Sequence, residues 1–190
     1  MLDFSVLRQL SEGLLGSEEN LRLTPRLAVE VPTIENGGIS ADGLTYTFKL
    51  RNGLIRSDGV PLTAQDFEYT FKRVLSLDVL APYASLYSAI LGGEEHLLSA
   101  EESPDVKAGL RKVVGVSAAT ENILVITLAD PDPTLLQKLN MAAASPMPQN
   151  VIEMYGANWT EPGNYVGNGH RDPPVRRSGL FLRQRPVDVG

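Results

Sequence analysis

The chain has 190 residues, with 17 Lys+Arg against 23 Asp+Glu and a formal charge of −6. A chain this long makes one domain or part of a larger one, and a compact fold would bury about 70% of its extended surface. Zero cysteine excludes disulfides, thiolate nucleophiles and Cys-ligated zinc or iron–sulfur centres. The acidic balance argues against nucleic acid as a partner. No apolar run approaches the roughly 18 residues of a membrane helix, and the start MLDFSVLRQLSEGLL lacks the basic-then-apolar order of a signal peptide.

Val6, Leu7, Leu10 and Leu14 stand at helical spacing, which predicts a helix over 4–15 stopped by Gly16. An extended piece is expected near 26–31. The stretch 31–43 is turn-rich, with Pro32, Asn36-Gly37-Gly38 and Asp42-Gly43. Residues 44–51 alternate Tyr46, Phe48 and Leu50 against Thr45, Thr47 and Lys49, the pattern of a half-buried strand. Leu54 and Ile55 are expected to pair back on it after the Asn52-Gly53 turn signal. Thr63 is placed to cap a helix with Asp66 in its first turn, and Phe67, Phe71, Val74 and Leu75 recur at helical steps, so 64–75 reads as a helix. Pro82 opens a second helical stretch, 83–91, ending at Gly92-Gly93. Residues 94–112 read as helical with a break at Pro104. A hairpin follows, from Val113–Ser117 through a turn at Glu121-Asn122 to Ile123–Leu128. Residues 133–140 and 149–155 read as short helices on either side of the proline-marked stretch 145–148. Strands and helices mixed without strict alternation predict an α+β fold.

The charge is uneven. Residues 170–190 hold Arg171, Arg176, Arg177, Arg183 and Arg185 against Asp172 and Asp188, which leaves this tail near +3 and the preceding 169 residues near −9. Three of the 13 prolines also fall in it. Such a break suggests a separate basic arm, or a segment never selected to pack with the rest.

A search for reactive motifs finds no P-loop, HExxH, GxSxG or GxGxxG pattern. The residues therefore give no catalytic reading, and the chain is expected not to be an enzyme and to need no cofactor or metal. Asp130 and Asp132 flank Pro131 but lack further ligands for a metal site. Asp132 reads instead as a cap for the helix after Pro133. His96, in GEEHLLS, reads as a solvated surface histidine, and His170 carries no constellation. Asn158-Trp159-Thr160 matches a glycosylation sequon, a pattern common by chance. Trp159 is expected to anchor a loop in the core.

Five segments in order resemble one family. These are VLRQLSEGLL (6–15), DGLTYTFKLRNGLIRSDGVPLTAQDFEYTFKRVL (42–75), PYASLY (82–87), VGVSAATENILVITLADPDPTLLQKL (114–139) and SPMPQNVIEMYGANWTEPGNYVGNG (145–169). Together they are similar to the extracytoplasmic solute-binding proteins of ABC importers, specifically the dipeptide/oligopeptide-binding family 5. The second segment, with its "SDG" turn and "TAxDF" cap, is the most specific. There are departures. Arg56 stands where the family usually carries Trp, AVEVPTIENGG replaces the usual "AESW" region, and the pattern stops after Gly169.

The resemblance implies part of a periplasmic-binding-protein-like lobe of the type II, peptide-binding kind. Residues 1–43 would start the main N-terminal lobe and 44–162 form an additional small α+β domain. Residues 163–169 would return towards the main lobe, and 170–190 would be an aberrant basic tail, disordered or from a shifted reading frame. It implies a periplasmic or surface-tethered receptor that captures oligopeptides and delivers them to a membrane permease, here as a truncated portion without signal sequence or second lobe and unable to bind alone. Nickel or oligosaccharide as the solute, or reuse of the domain as a partner-binding module or small enzyme, stays open. Among residues, the resemblance implies ligand contact at Tyr83, at Asn168 and at Gly169. Each has a structural alternative: helix-start packing for Tyr83, a direction-setting turn for the other two. Glu12 is expected to serve structure.

Overall fold

The computed structural model describes residues 11–76, 79, 81, 83–99 and 101–169. The basic tail with His170, and the first ten residues, lie outside the described residues. Among the described residues, five strands and five α-helices follow one another as β1 (Leu15–Ser17), β2 (Leu23–Pro25), β3 (Thr45–Lys49), α1 (Ala64–Val74), α2 (Gly93–Leu97), α3 (Pro104–Val113), β4 (Val116–Thr120), β5 (Ile123–Thr127), α4 (Leu135–Lys138) and α5 (Gln149–Tyr155). Short 3-10 turns cover Ala84–Tyr87, Ala142–Ala144 and Gly156–Thr160.

β3, β5 and β4 form an antiparallel sheet with β5 in the centre. The alternation of β3 places Tyr46 opposite Ile126 and Phe48 opposite Leu124 on the buried face. Such cross-strand pairs each contribute about 0.2–1 kcal/mol. α1 lies over this face through Phe67, Phe71 and Val74, all but fully buried. Its start is held twice: the Asp66 carboxylate accepts from the Thr63 N–H at 2.9 Å, and the Ala64 N–H donates to the Glu121 carbonyl at 2.8 Å. Phe71 meets Tyr87 edge to face, with centroids 5.5 Å apart. The Tyr87 hydroxyl donates to the Lys138 carbonyl at 3.0 Å, which ties the Ala84–Tyr87 turn to α4. One contiguous apolar cluster runs from Leu14 and Leu15 to Leu139 and Ala144.

Several expectations are corrected. Residues 11–17 are not the end of a helix. Leu15–Ser17 is a strand paired with Leu23–Pro25, and the Leu14 carbonyl accepts from the Arg26 and Ala28 N–H groups. Gly16 sits inside that strand rather than stopping a helix. Leu54 and Ile55 do not pair with β3: Ile55 bridges Pro61, and β3 finds its partner in β5. A long helix over 83–91 is replaced by the Ala84–Tyr87 turn, because the chain must straighten for Ile90 to bridge Leu128. Gly92, at φ 66°, then leads into α2 rather than ending a helix. His96 is buried, 3% exposed, with Nε2 3.3 Å from the Lys72 carbonyl, while Glu94 and Glu95 on the same short helix face water.

The hairpin, α1 and α5 stand where expected, with bounds shifted by a few residues. Asp132 accepts from the Thr134 N–H at 2.9 Å, from its hydroxyl at 2.6 Å and from Lys138 Nζ at 2.6 Å. Asp132 therefore braces the turn before α4 instead of capping a helix at Pro133: the helix starts at Leu135, with Thr134 at its N-cap position.

Candidate functional site

The carboxyl end of the described chain returns beside its beginning. Asn168 makes a reciprocal pair with the Glu12 backbone: Oδ1 accepts from the Glu12 N–H at 3.2 Å, and Nδ2 donates to the Glu12 carbonyl at 2.7 Å. The hydroxyls of Ser11 and Tyr165 lie 2.9 Å apart. Ser57 holds Gly167 from the other side, its N–H donating to the Gly167 carbonyl at 2.8 Å and its Oγ accepting from the Gly167 N–H at 3.2 Å.

These ties frame two adjoining cavities of about 300 and 340 Å³ that share Ser11, Ala142 and Ser145. The first is apolar. Tyr83, Met147, Pro146, Pro148, Trp159 and Tyr165 line it, with Trp159 stacked on Tyr165 at 5.8 Å between centroids. The second is the more polar of the two, lined by Glu12, Ser17, Arg26 and Asn140 together with Leu15 and Ala142. Arg26 reaches to 3.8 Å of Glu12, and Asn140 Nδ2 donates to Ser17 Oγ at 3.0 Å. Gly16 gives Arg26 its room, since a Cβ there would stand 2.4 Å from the guanidinium Nε.

The core positions the apolar wall from beneath. Thr70 of α1 is fully buried. Its hydroxyl donates to the Asp66 carbonyl at 2.7 Å and accepts from the Met147 N–H at 2.8 Å. Tyr83 holds a left-handed backbone, φ 67°, before the Ala84–Tyr87 turn, and it is 49% exposed. An aromatic residue at positive φ is an uncommon, strained choice.

Of the three residues singled out in the sequence, the structure places Tyr83 in the apolar cavity. Asn168 stands behind the more polar one, holding Glu12, and Gly169 follows it half-buried. Trp159 is corrected. It is half-buried on the cavity wall rather than in the core, because its neighbours from Glu153 to Asn158 are exposed and Tyr165 is its stacking partner. The sequence reading also missed Tyr165, Met147, Arg26 and Asn140. Aromatic residues standing in a turn-rich segment without apolar periodicity were the available signal. Among the described residues no group of three or more His, Asp or Glu could hold a metal ion, and no helix is long and apolar enough to cross a membrane.

Comparison with known proteins gives this cleft its context. The sequence model described as "Bacterial extracellular solute-binding proteins, family 5 Middle" matches residues 22–170. The chain belongs to this family. The Escherichia coli K12 periplasmic oligopeptide-binding protein OppA is 35% identical over 167 residues, covering 87% of this chain and 28% of that protein. Among solved structures, a periplasmic oligopeptide-binding protein from Borrelia burgdorferi matches with a TM-score of 0.74 and 32% identity over 87% of this chain and 31% of its own. The Escherichia coli murein tripeptide binding protein MppA matches equally well, with a TM-score of 0.74 and 30% identity over 89% of this chain and 30% of its own. Family 5 relatives are thus named as binding proteins, and the present chain spans under a third of their length.

Proposed function

We propose that this chain contributes to the solute-binding component of an ABC importer, outside the cytoplasm, and that its cleft receives part of an extended oligopeptide. The observation that carries the reading is the cleft itself, in a chain of this family. An aromatic floor of Tyr83, Trp159 and Tyr165 passes directly into a more polar cavity holding Glu12, Arg26 and Asn140. An extended peptide offers apolar side chains and amide groups in alternation, and such a surface suits both. On this reading residues 1–43 start the main lobe, 44–162 form the small α+β domain and 163–169 lead back to the main lobe. Tyr83 packs on the ligand, Asn168 and Gly169 form the cleft wall, and a membrane permease receives the solute. Binding by enclosure needs no covalent step, so the role is one of capture rather than catalysis.

A chimera tests this. Residues 22–169 replace the matching segment of Escherichia coli OppA, the fold is checked by circular dichroism, and peptide binding is measured by calorimetry. The expected result is peptide affinity within about tenfold of the parent protein. A folded chimera that binds no peptide overturns the reading.

A further inference from the structure

We infer that Arg56 is a positioning residue for the cleft, acting through Ser57 on the wall formed by residues 165–168. The inference rests on reading the cleft as the ligand site.

The Arg56 side chain is 6% exposed and is held by three segments at once. Nη1 donates to Asp66 Oδ1 of α1 at 3.0 Å, and Nη2 donates to Asn150 Oδ1 of α5 at 2.9 Å and to Asp58 Oδ2 of its own turn at 3.4 Å. A guanidinium with its planar fork engaged on both arms has little freedom. A buried charge that lost these partners would be costly, so the cluster keeps one geometry. That geometry fixes the peptide plane joining Arg56 to Ser57. Gly59 N–H donates to the Arg56 carbonyl at 3.0 Å and Arg56 N–H to the Val60 carbonyl at 2.9 Å, which closes the turn around it.

Ser57 then spends two hydrogen bonds on a single residue of the return segment, Gly167. Gly167 lies two residues after Tyr165, the stacking partner of Trp159, and one before Asn168, the holder of Glu12. The route from a buried ion cluster to both cavities is therefore short and made of named bonds. The "SDG" turn is not merely a surface loop. It is a bracket that sets the wall against the body of the domain, and Arg56 anchors it.

Trp159 is the single tryptophan of the chain, so its emission, excited at the red edge to spare tyrosine, reports the wall directly. The variants are Arg56→Met combined with Asp66→Asn, which removes both buried charges together, and Ser57→Ala, which deletes the hydroxyl bond to Gly167 and keeps the backbone one. Both are expected to red-shift Trp159 emission and raise its acrylamide quenching, by about twofold in the double variant and less in Ser57→Ala, with far-UV circular dichroism retained. Arg56→Lys, which keeps the charge and loses the fork, is expected to fall between. A double variant that unfolds at lower urea while its native Trp159 emission and quenching stay unchanged overturns the inference, and so does a Ser57→Ala protein with unaltered Trp159. The measurement needs no ligand. Its failure leaves the peptide-receptor reading standing, and failure of the chimera to bind leaves this result standing.

Discussion

Leu21 and Tyr83 share a left-handed backbone, at φ 64° and 67°, and their settings separate two reasons for it. Leu21 is 83% exposed, in a turn closed by the Glu18 N–H on the Arg22 carbonyl at 3.0 Å. It lines neither cavity of the cleft, and a Cβ in this region costs about 1–2 kcal/mol. Leu21→Gly is therefore expected to raise the unfolding free energy by about 1 kcal/mol in urea, less the entropy glycine adds to the unfolded chain. Tyr83 carries the same strain on the wall of the cleft. Tyr83→Gly is expected to leave stability unchanged or slightly raised, and to weaken peptide binding by the chimera about tenfold, the loss of one packed aromatic side chain. A fall in stability with unchanged affinity would assign the ring to packing instead. His96 shows why single residues are hard to read in sequence. Its neighbours Glu94 and Glu95 are acidic and exposed, yet one turn of a five-residue helix suffices to turn the imidazole inward towards the Lys72 carbonyl.

At the scale of elements, α1 was legible because its apolar residues recur at helical steps and its cap is written in Thr63 and Asp66. Its energetic weight follows from burial: Phe71 is fully buried against Tyr87, so Phe71→Ala is expected to cost about 3–5 kcal/mol in chemical denaturation. Two acidic side chains tie elements together and make the fold pH-sensitive. Burial opposes ionisation of Asp132, but Lys138 and the hydroxyl and N–H of Thr134 outweigh it and hold the carboxyl below its ordinary value. Burial likewise opposes Glu68, and Lys72 with the Ala118 N–H of β4 outweighs it in the same direction. Groups lowered in the fold stabilise it above their unfolded pKa, at about pH 4, and that stability is lost as pH falls through the folded values. Asp132→Asn is expected to lower stability at neutral pH and to flatten the loss below about pH 4.5, read from urea titrations at several pH values. Tyr87 marks the alkaline side. Burial pushes its hydroxyl up to about 12, so the stability it lends is full below about pH 10 and is lost as pH rises towards that value. The strand pairings were less legible than the helix. The alternation in 44–51 fixed a buried face but not a partner, and the adjacent Leu54 and Ile55 were the nearest apolar choice. β5 prevails because its Leu124 and Ile126 meet Phe48 and Tyr46 in register, about 80 residues along the chain.

At the scale of the whole molecule, one apolar cluster joins residues on both sides of position 43, so this part of the chain is expected to unfold in a single transition. The cleft lies on this body, and in the proposed receptor it faces the rest of a protein more than three times as long. The 190-residue polypeptide by itself is accordingly expected to give no calorimetric signal with a mixed peptide pool at micromolar concentration. Micromolar or tighter binding would show that the cleft suffices alone. Much of this protein was determined by its sequence: the mixed α+β class, the helix 64–75, the hairpin around Glu121-Asn122, and the family, through five ordered segments. Local periodicity and turn chemistry are properties of neighbouring residues, and a chain carries them before it folds. Only the tertiary structure decided that Leu15–Ser17 is a strand, that His96 is buried, that Trp159 leaves the core for Tyr165, and that Arg56 stands behind the cleft wall. His96 and Arg56 depend on partners distant in sequence, Lys72 and Asn150, and even where the partner is near, as Leu23–Pro25 is for Leu15–Ser17 and Tyr165 for Trp159, apolar spacing states that a face is buried without stating against what.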